Sequence, residues 1–209
     1  MLLIEIVHPI GRLDDRDREL VSRAIVDLFL EPDGHATETI RRARTATHIA
    51  YRELRGWWTG GGPPSDDAAP PLIITLTVPE ACREEAAGTF IGLARTAAKR
   101  MDDHHGRQRP RGSLWVRVDG VPDGSLGLDG RPATGDDVPA FLTEEFRAAW
   151  ESGTSAPVPE GRLPDPICEM TVADGKNSLV MEDDGRRLGF CSQGCRAAYA
   201  RERPEAVVA

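Results

Sequence analysis

The sequence predicts an α+β protein in which a strand, helix, strand unit occurs twice and a short hairpin-and-helix segment follows. Three observations predict it. The same order of apolar run, amphipathic stretch and apolar run recurs at a period of roughly 60 residues, at the lower edge of what folds alone, so the two copies are expected to share one four-stranded sheet with both helices on one face. Each copy ends in a glycine-punctuated turn, Trp57 to Gly61 in the first and Gly120 to Gly130 in the second. A proline-rich break from Ser152 to Pro164 then sets off residues 164–209, which hold three of the four cysteines.

The elements follow in order. Leu2 to Val7 reads as a strand, and Asp14 to Leu30 as a helix that turns Leu20, Val21, Ala24, Ile25, Leu28 and Phe29 to one side. Asp14, Asp15 and Asp17 stand at its start, where carboxylates complement the positive end of the helix dipole. Thr47 to Leu54 is the second strand, and Gly60 to Asp67 a linker. The second copy runs from the strand Leu72 to Val78 through a helix, Ala81 to Met101, expected to bury Ala87, Phe90, Ile91, Ala94, Ala98 and Met101, to the strand Leu114 to Val118. A helix in each crossover implies parallel strands within each copy, over residues 1–62 and 70–131. A third amphipathic helix, Val138 to Trp150, is expected to close a domain of residues 1–150; residues 151–163 then form a linker to a domain of 164–209.

The chain has 209 residues, 40% hydrophobic and 29% charged, with a formal net charge of -8. That sign argues against nucleic acid or an anionic membrane surface as a partner, since both require phosphate neutralisation. No apolar run approaches the ~20 residues of a membrane span. Four cysteines in a chain of this length do not make a disulfide scaffold, and Glu5 interrupts the opening apolar run before it resembles a leader. Cytoplasmic residence with reduced thiols is the expectation.

Leu3-Ile4-Glu5-Ile6, Gly11-Arg12-Leu13-Asp14-Asp15 at the helix start, and Glu53-Leu54 followed by Trp57-Trp58-Thr59-Gly60-Gly61 resemble the tautomerase superfamily, which includes 4-oxalocrotonate tautomerase and macrophage migration inhibitory factor. Leu76-Thr77-Val78-Pro79-Glu80 and Val121 to Gly127 carry a weaker second copy. The resemblance implies a homotrimer, each chain burying its sheet against the others. It also implies a pocket for a small carboxylated keto or enol compound, with an amino-terminal proline as base and arginines as carboxylate binders. Arg12 matches one of those arginines, His48 falls where a second is expected, and Trp57 matches an aromatic wall. Leu2 stands where the proline would be, as part of the same pocket, and Pro71, its internal counterpart, is acylated by Pro70 and has no basic lone pair. A retained Met1 amine, with an ordinary pKa near ~8, is then the base available. Whether the chain is an enzyme is left open by these departures.

Asp165-Pro166-Ile167-Cys168-Glu169-Met170-Thr171-Val172, then Leu188-Gly189-Phe190-Cys191-Ser192-Gln193-Gly194-Cys195 with Tyr199 beyond, resembles the YHS domain, a metal-binding module of the TRASH-like group. The spacing is C-x22-C-x3-C. Cys191 and Cys195 are four apart at the start of a helix expected over Ser192 to Arg201, so their sulfurs share a face where thiolate is favoured. A hairpin, Ser178 to Met181 and Arg187 to Phe190 turned at Asp184-Gly185, returns Cys168 to them. Three thiolates with Met170 near are soft donors, suited to a zinc or copper ion, or another thiophilic ion, with a structural, sensing or carrying role. Asp102-Asp103-His104-His105 reads as a helix stop before Gly106, and Cys82 as a small filler near a helix start.

Overall fold

A computed structural model describes residues 3–30, 37–155 and 157–208. Met1 and Leu2, the expected base and its neighbour, lie outside the described residues. The chain packs as two compact units, one drawn from Met1–Glu31 and Arg44–Pro122, the other from Pro32–Ala43 and Asp123–Ala209.

The first unit opens with β1 (Leu3–Pro9) and α1 (Asp15–Phe29). Asp14 caps α1 by accepting from the Asp17 backbone N–H at 2.8 Å, and the Asp17 carboxylate accepts in return from the Asp14 N–H, so two orphan donors are satisfied reciprocally. After α2 (Thr37–Thr45) come β2 (His48–Leu54) and β3 (Leu72–Pro79). A single 3-10 turn, Glu80–Cys82, leads into α3 (Arg83–His104), and β4 (Leu114–Val121) ends the unit. The sheet order is β2-β1-β3-β4, with β1 parallel to β2, β3 parallel to β4, and β1 antiparallel to β3. This is the duplicated arrangement the sequence predicts.

Register explains the two faces. Tyr51, Ile6, Ile74 and Val116 lie in one row across all four strands and face α1 and α3, where Val21, Ala24, Ile25, Ala94, Ala97, Ala98 and Met101 complete the core. Phe29 and Phe90 stack at 4.9 Å between ring centroids and join the helices. Arg52, Val7, Ile73 and Trp115 form a row on the opposite face, where Val7 is buried and Trp115 is 68% exposed. One expectation for α3 fails. Ile91 is exposed, because the buried stripe runs through Ala86, Ala94, Ala97 and Met101 and the small alanines let α3 lie close on the sheet.

The second unit holds the hairpin β5 (Leu126–Leu128) and β6 (Arg131–Ala133), then α4 (Asp137–Leu142) and α5 (Glu144–Glu151). The closing helix expected over Val138 to Trp150 is thus broken at Thr143, whose hydroxyl meets the Pro139 carbonyl at 2.8 Å and donates to that of Ile167 at 2.9 Å. It does not close the first unit. Trp150 packs instead on the cluster of Ile167, Met181, Leu188, Phe190, Cys195, Ala198 and Tyr199, so the boundary falls at Asp123 rather than after residue 150. The physical reason is that this small cluster needs the apolar area an aromatic anchor supplies. Arg42 of α2 secures the same helices, with ion pairs to Glu144 and Glu145 and a bond to the Phe141 carbonyl.

The expected linker contains β7 (Arg162–Pro164), which pairs with β8 (Thr171–Ala173). β9 (Leu179–Asp183) and β10 (Arg186–Phe190) form the predicted hairpin, turned at Asp184 and Gly185 with φ of 48° and 73°, the left-handed pair that a tight two-residue hairpin requires. α6 (Gln193–Glu202) and β11 (Val207–Val208), which pairs with β9, complete the unit. Gly189 is required by space. A Cβ there would lie 2.2 Å from Val172 Cγ2 and 2.7 Å from Leu163 Cβ, so Gly189→Ala is expected to cost about 1–3 kcal/mol through overpacking, read as an earlier unfolding of this unit in denaturant titration of the whole chain.

Candidate metal centre

Three segments of the second unit converge on one point. The loop after β7 contributes Asp165 and Cys168, the end of β10 contributes Cys191, and the first turn of α6 contributes Cys195. One carboxylate oxygen and the three sulfurs all lie within 4.8 Å of one another. The Cys168 and Cys191 sulfurs are 3.4 Å apart, and those of Cys191 and Cys195 3.7 Å. The expected triad is brought together.

Asp165 organises the centre and is fully buried. Its Oδ1 accepts from the Ile167 N–H at 2.9 Å and the Cys168 N–H at 3.3 Å, which curls the loop, while Oδ2 accepts from the Cys191 N–H at 3.0 Å and ties that loop to β10. Its backbone closes the loop too, with the Asp165 N–H donating to the Met170 carbonyl at 2.8 Å and the Asp165 carbonyl accepting from Glu169 at 3.0 Å. The closure puts Glu169 at φ 71°, a left-handed conformation costing a non-glycine residue roughly 1–2 kcal/mol. Thr39 of α2 holds it there, its hydroxyl donating to Glu169 Oε2 at 2.6 Å. On the other side, Ser192 caps α6 by accepting from the Cys195 N–H at 3.1 Å, which fixes the orientation of Cys195. Ser192→Ala is expected to lower the stability of this unit by about 1 kcal/mol, measured by denaturant titration.

The electrostatics are those of a crowded thiol cluster. Hydrogen bonds from Cys168 and then Cys195 hold the Cys191 thiol below the ordinary range, so it is the first to carry charge. The same shared contacts, with burial, push Cys168 upward. Burial, followed by the charge of Cys195, pushes the Asp165 carboxyl upward. A cation placed among these groups relieves the penalties on Cys168 and Asp165 together, because it stabilises the charged form of each ligand.

The remaining candidates are dispersed. Met170 is 37% exposed, and its backbone carbonyl, rather than its sulfur, is what the loop uses. Arg12 is engaged by the expected linker, with its guanidinium donating to Asp66 Oδ1 and to the carbonyls of Ser65, Asp66 and Ala68 at 2.9–3.2 Å. His48 is exposed at the start of β2, opposite Leu3. Trp57 lines an open groove of about 500 Å³ in the first unit with Trp58, Pro71, Ile73 and Trp115; neither Arg12 nor His48 lines it. The helix-stop residues have structural partners: His105 with Asp17, His104 with Arg16, Asp103 with Lys99, and Asp102 with Arg109. Cys82 sits half-buried in the 3-10 turn, in the other unit from the cluster.

Asp165 is the residue that sequence reasoning missed. The signal was an Asp-Pro dipeptide two residues ahead of a buried Ile, since an Asp side chain turning back to the N–H groups that follow it is the ordinary chemistry of an Asx turn.

No family model matches the chain, and no curated protein matches it. Among solved structures it is similar to native fused 4-OT, at 17% identity over 63% of this chain and 95% of that one with a TM-score of 0.47. It is similar also to N1, a member of the cis-3-chloroacrylic acid dehalogenase family, at 14% identity over 73% and 95% with a TM-score of 0.46. A third is the macrophage migration inhibitory factor of Toxoplasma gondii, at 12% identity over 62% and 98% with a TM-score of 0.43.

Proposed function

We propose that the protein captures one thiophilic metal ion, zinc or copper, per chain through Cys168, Cys191 and Cys195. One observation carries the reading: three sulfurs from segments 23 and 4 residues apart meet at 3.4 and 3.7 Å, without a disulfide among them. Reduced thiols at that spacing fit a YHS-type module working in a reducing compartment such as the cytoplasm, as a metal sensor or carrier. The four-stranded sheet is the scaffold, and burial of the exposed Trp115 on its face away from the helices between copies fits a homotrimer presenting three metal centres.

Metal analysis of tag-free protein tests the reading. About one metal per chain, and none taken up when the thiols of the metal-free protein are alkylated first, is the expected result; no metal, or an uptake insensitive to prior alkylation, overturns it. The enzymatic alternative, in which the first unit turns over a small carboxylated keto or enol compound, receives no comparable support, because Arg12 already spends its donors on residues 65–68.

A further inference from the structure

We infer that Asp165 is the fourth ligand of this centre, which makes it a tetrahedral three-sulfur, one-oxygen site for a divalent ion of the zinc class rather than a trigonal thiolate site for a monovalent one. The inference deepens the metal-capture reading and rests on it.

Lone-pair accounting leads to it. A carboxylate oxygen has two acceptor sites. Oδ1 of Asp165 fills both, with the Ile167 and Cys168 N–H groups. Oδ2 fills one, with the Cys191 N–H, and for the remaining site the carboxylate has only the weak Cys168 S–H donor. Asp165 is 0% exposed, so bulk water does not reach that second site. A carboxylate oxygen of Asp165 stands with the three sulfurs inside a sphere where all four donors are within 4.8 Å of one another. Burying an acceptor whose remaining site has only a weak thiol donor is costly, and a cation at the centre is the stronger partner for it.

Distance and charge agree. Metal–sulfur bonds of about 2.3 Å in a tetrahedral site set neighbouring sulfurs about 3.75 Å apart. The observed separations of 3.4 and 3.7 Å lie on or just inside that edge, so little rearrangement is needed for an ion to enter. Three thiolates and a carboxylate carry four negative charges. A divalent ion neutralises half of them and a monovalent ion a quarter, and the hard oxygen adds nothing for a soft monovalent ion while completing the four-coordinate shell that zinc prefers.

Two measurements on the full chain test the inference. Loaded with Co2+, the wild-type protein is expected to show the visible bands of a tetrahedral site, and its electron paramagnetic resonance lines are expected to stay unbroadened in 17O-enriched water. Broadening places water in the fourth position and overturns the inference, as do bands of a six-coordinate ion. In the second, Asp165→Cys with bound Zn2+ is expected to protect four thiols of the centre from iodoacetamide instead of three, counted by peptide mapping. Alkylation of the introduced thiol while the native three stay protected overturns it. Should the variant fail to fold, the wild-type spectrum decides. Failure of the native three to be protected in the wild-type protein is a different result, which removes the metal-capture reading itself.

Discussion

Cys191→Ser is expected to reduce bound metal from about one per chain to near none and to lower the temperature at which the second unit melts. Cys191 is the hinge of the triad, since its sulfur lies 3.4 Å from one partner and 3.7 Å from the other, and it is the thiol most readily charged. Loss of outer contacts to a metal ligand typically costs 10–100-fold in affinity, and loss of the central ligand costs more than that, so a drop beyond about 100-fold is expected. The structural consequence follows from size. The second unit has a buried cluster of only Ile167, Met181, Leu188, Phe190, Cys195, Ala198 and Tyr199, whereas the first buries its sheet under two long helices. Structural zinc in small domains supplies about 10–16 kcal/mol of apparent binding energy, which such a cluster does not replace. Calorimetry of the variant, or of wild-type protein treated with a strong chelator, should show the second unit melting early while the first keeps its transition. Undiminished metal in the variant, or a single unchanged transition, contradicts the reading.

Arg109→Met is expected to destabilise the first unit by about 3–5 kcal/mol, and a compensating change at Asp102 to recover most of it. Asp102 lies in the last turn of α3 at 5% exposure, and Arg109 grips it with two bonds of 2.8 Å while also donating to the Pro70 carbonyl. Despite that grip, burial still holds the Asp102 carboxyl above its ordinary pKa. The pair therefore does not repay the desolvation of its own carboxylate, and its main effect is to avoid leaving that charge alone. The single variant strands a buried carboxylate; the double variant Asp102→Leu, Arg109→Met removes both charges and should unfold within about 1–2 kcal/mol of wild type in denaturant. Equal losses in the single and double variants would show that the bond to Pro70, and not the stranded charge, sets the cost.

These two sites differ in how far the sequence revealed them. The cysteine triad was legible because its spacing places two thiols four apart at a helix start and the Asp184-Gly185 turn returns the third. The duplicated sheet was legible because apolar periodicity sets both the strands and the helices, and the helical crossovers fix which strands run parallel. The partners of Arg12 were illegible for the opposite reason: they lie 53 to 56 residues away and are mostly backbone carbonyls, which leave no trace in side-chain pattern. The same holds for Thr143. Nothing in its neighbourhood announces that its hydroxyl reaches the Ile167 carbonyl and divides a helix that reads as continuous. The helix Thr37–Thr45 escaped because only Ile40 and Ala43 mark its apolar side, so its polar surface reads as loop.

The second unit is discontinuous in sequence, and that orders its assembly during synthesis. The helix Thr37–Thr45 leaves the ribosome early, yet its Thr39 partner is Glu169 and its Arg42 partners are Glu144 and Glu145. At about 5–20 residues per second, roughly 8–30 s separate that helix from the last cysteine ligand. The first unit has all of its residues by Pro122 and can finish within that interval. The early helix of the second unit must wait for its partners until Glu169 has emerged, so the second unit closes on an element made before most of the first unit existed.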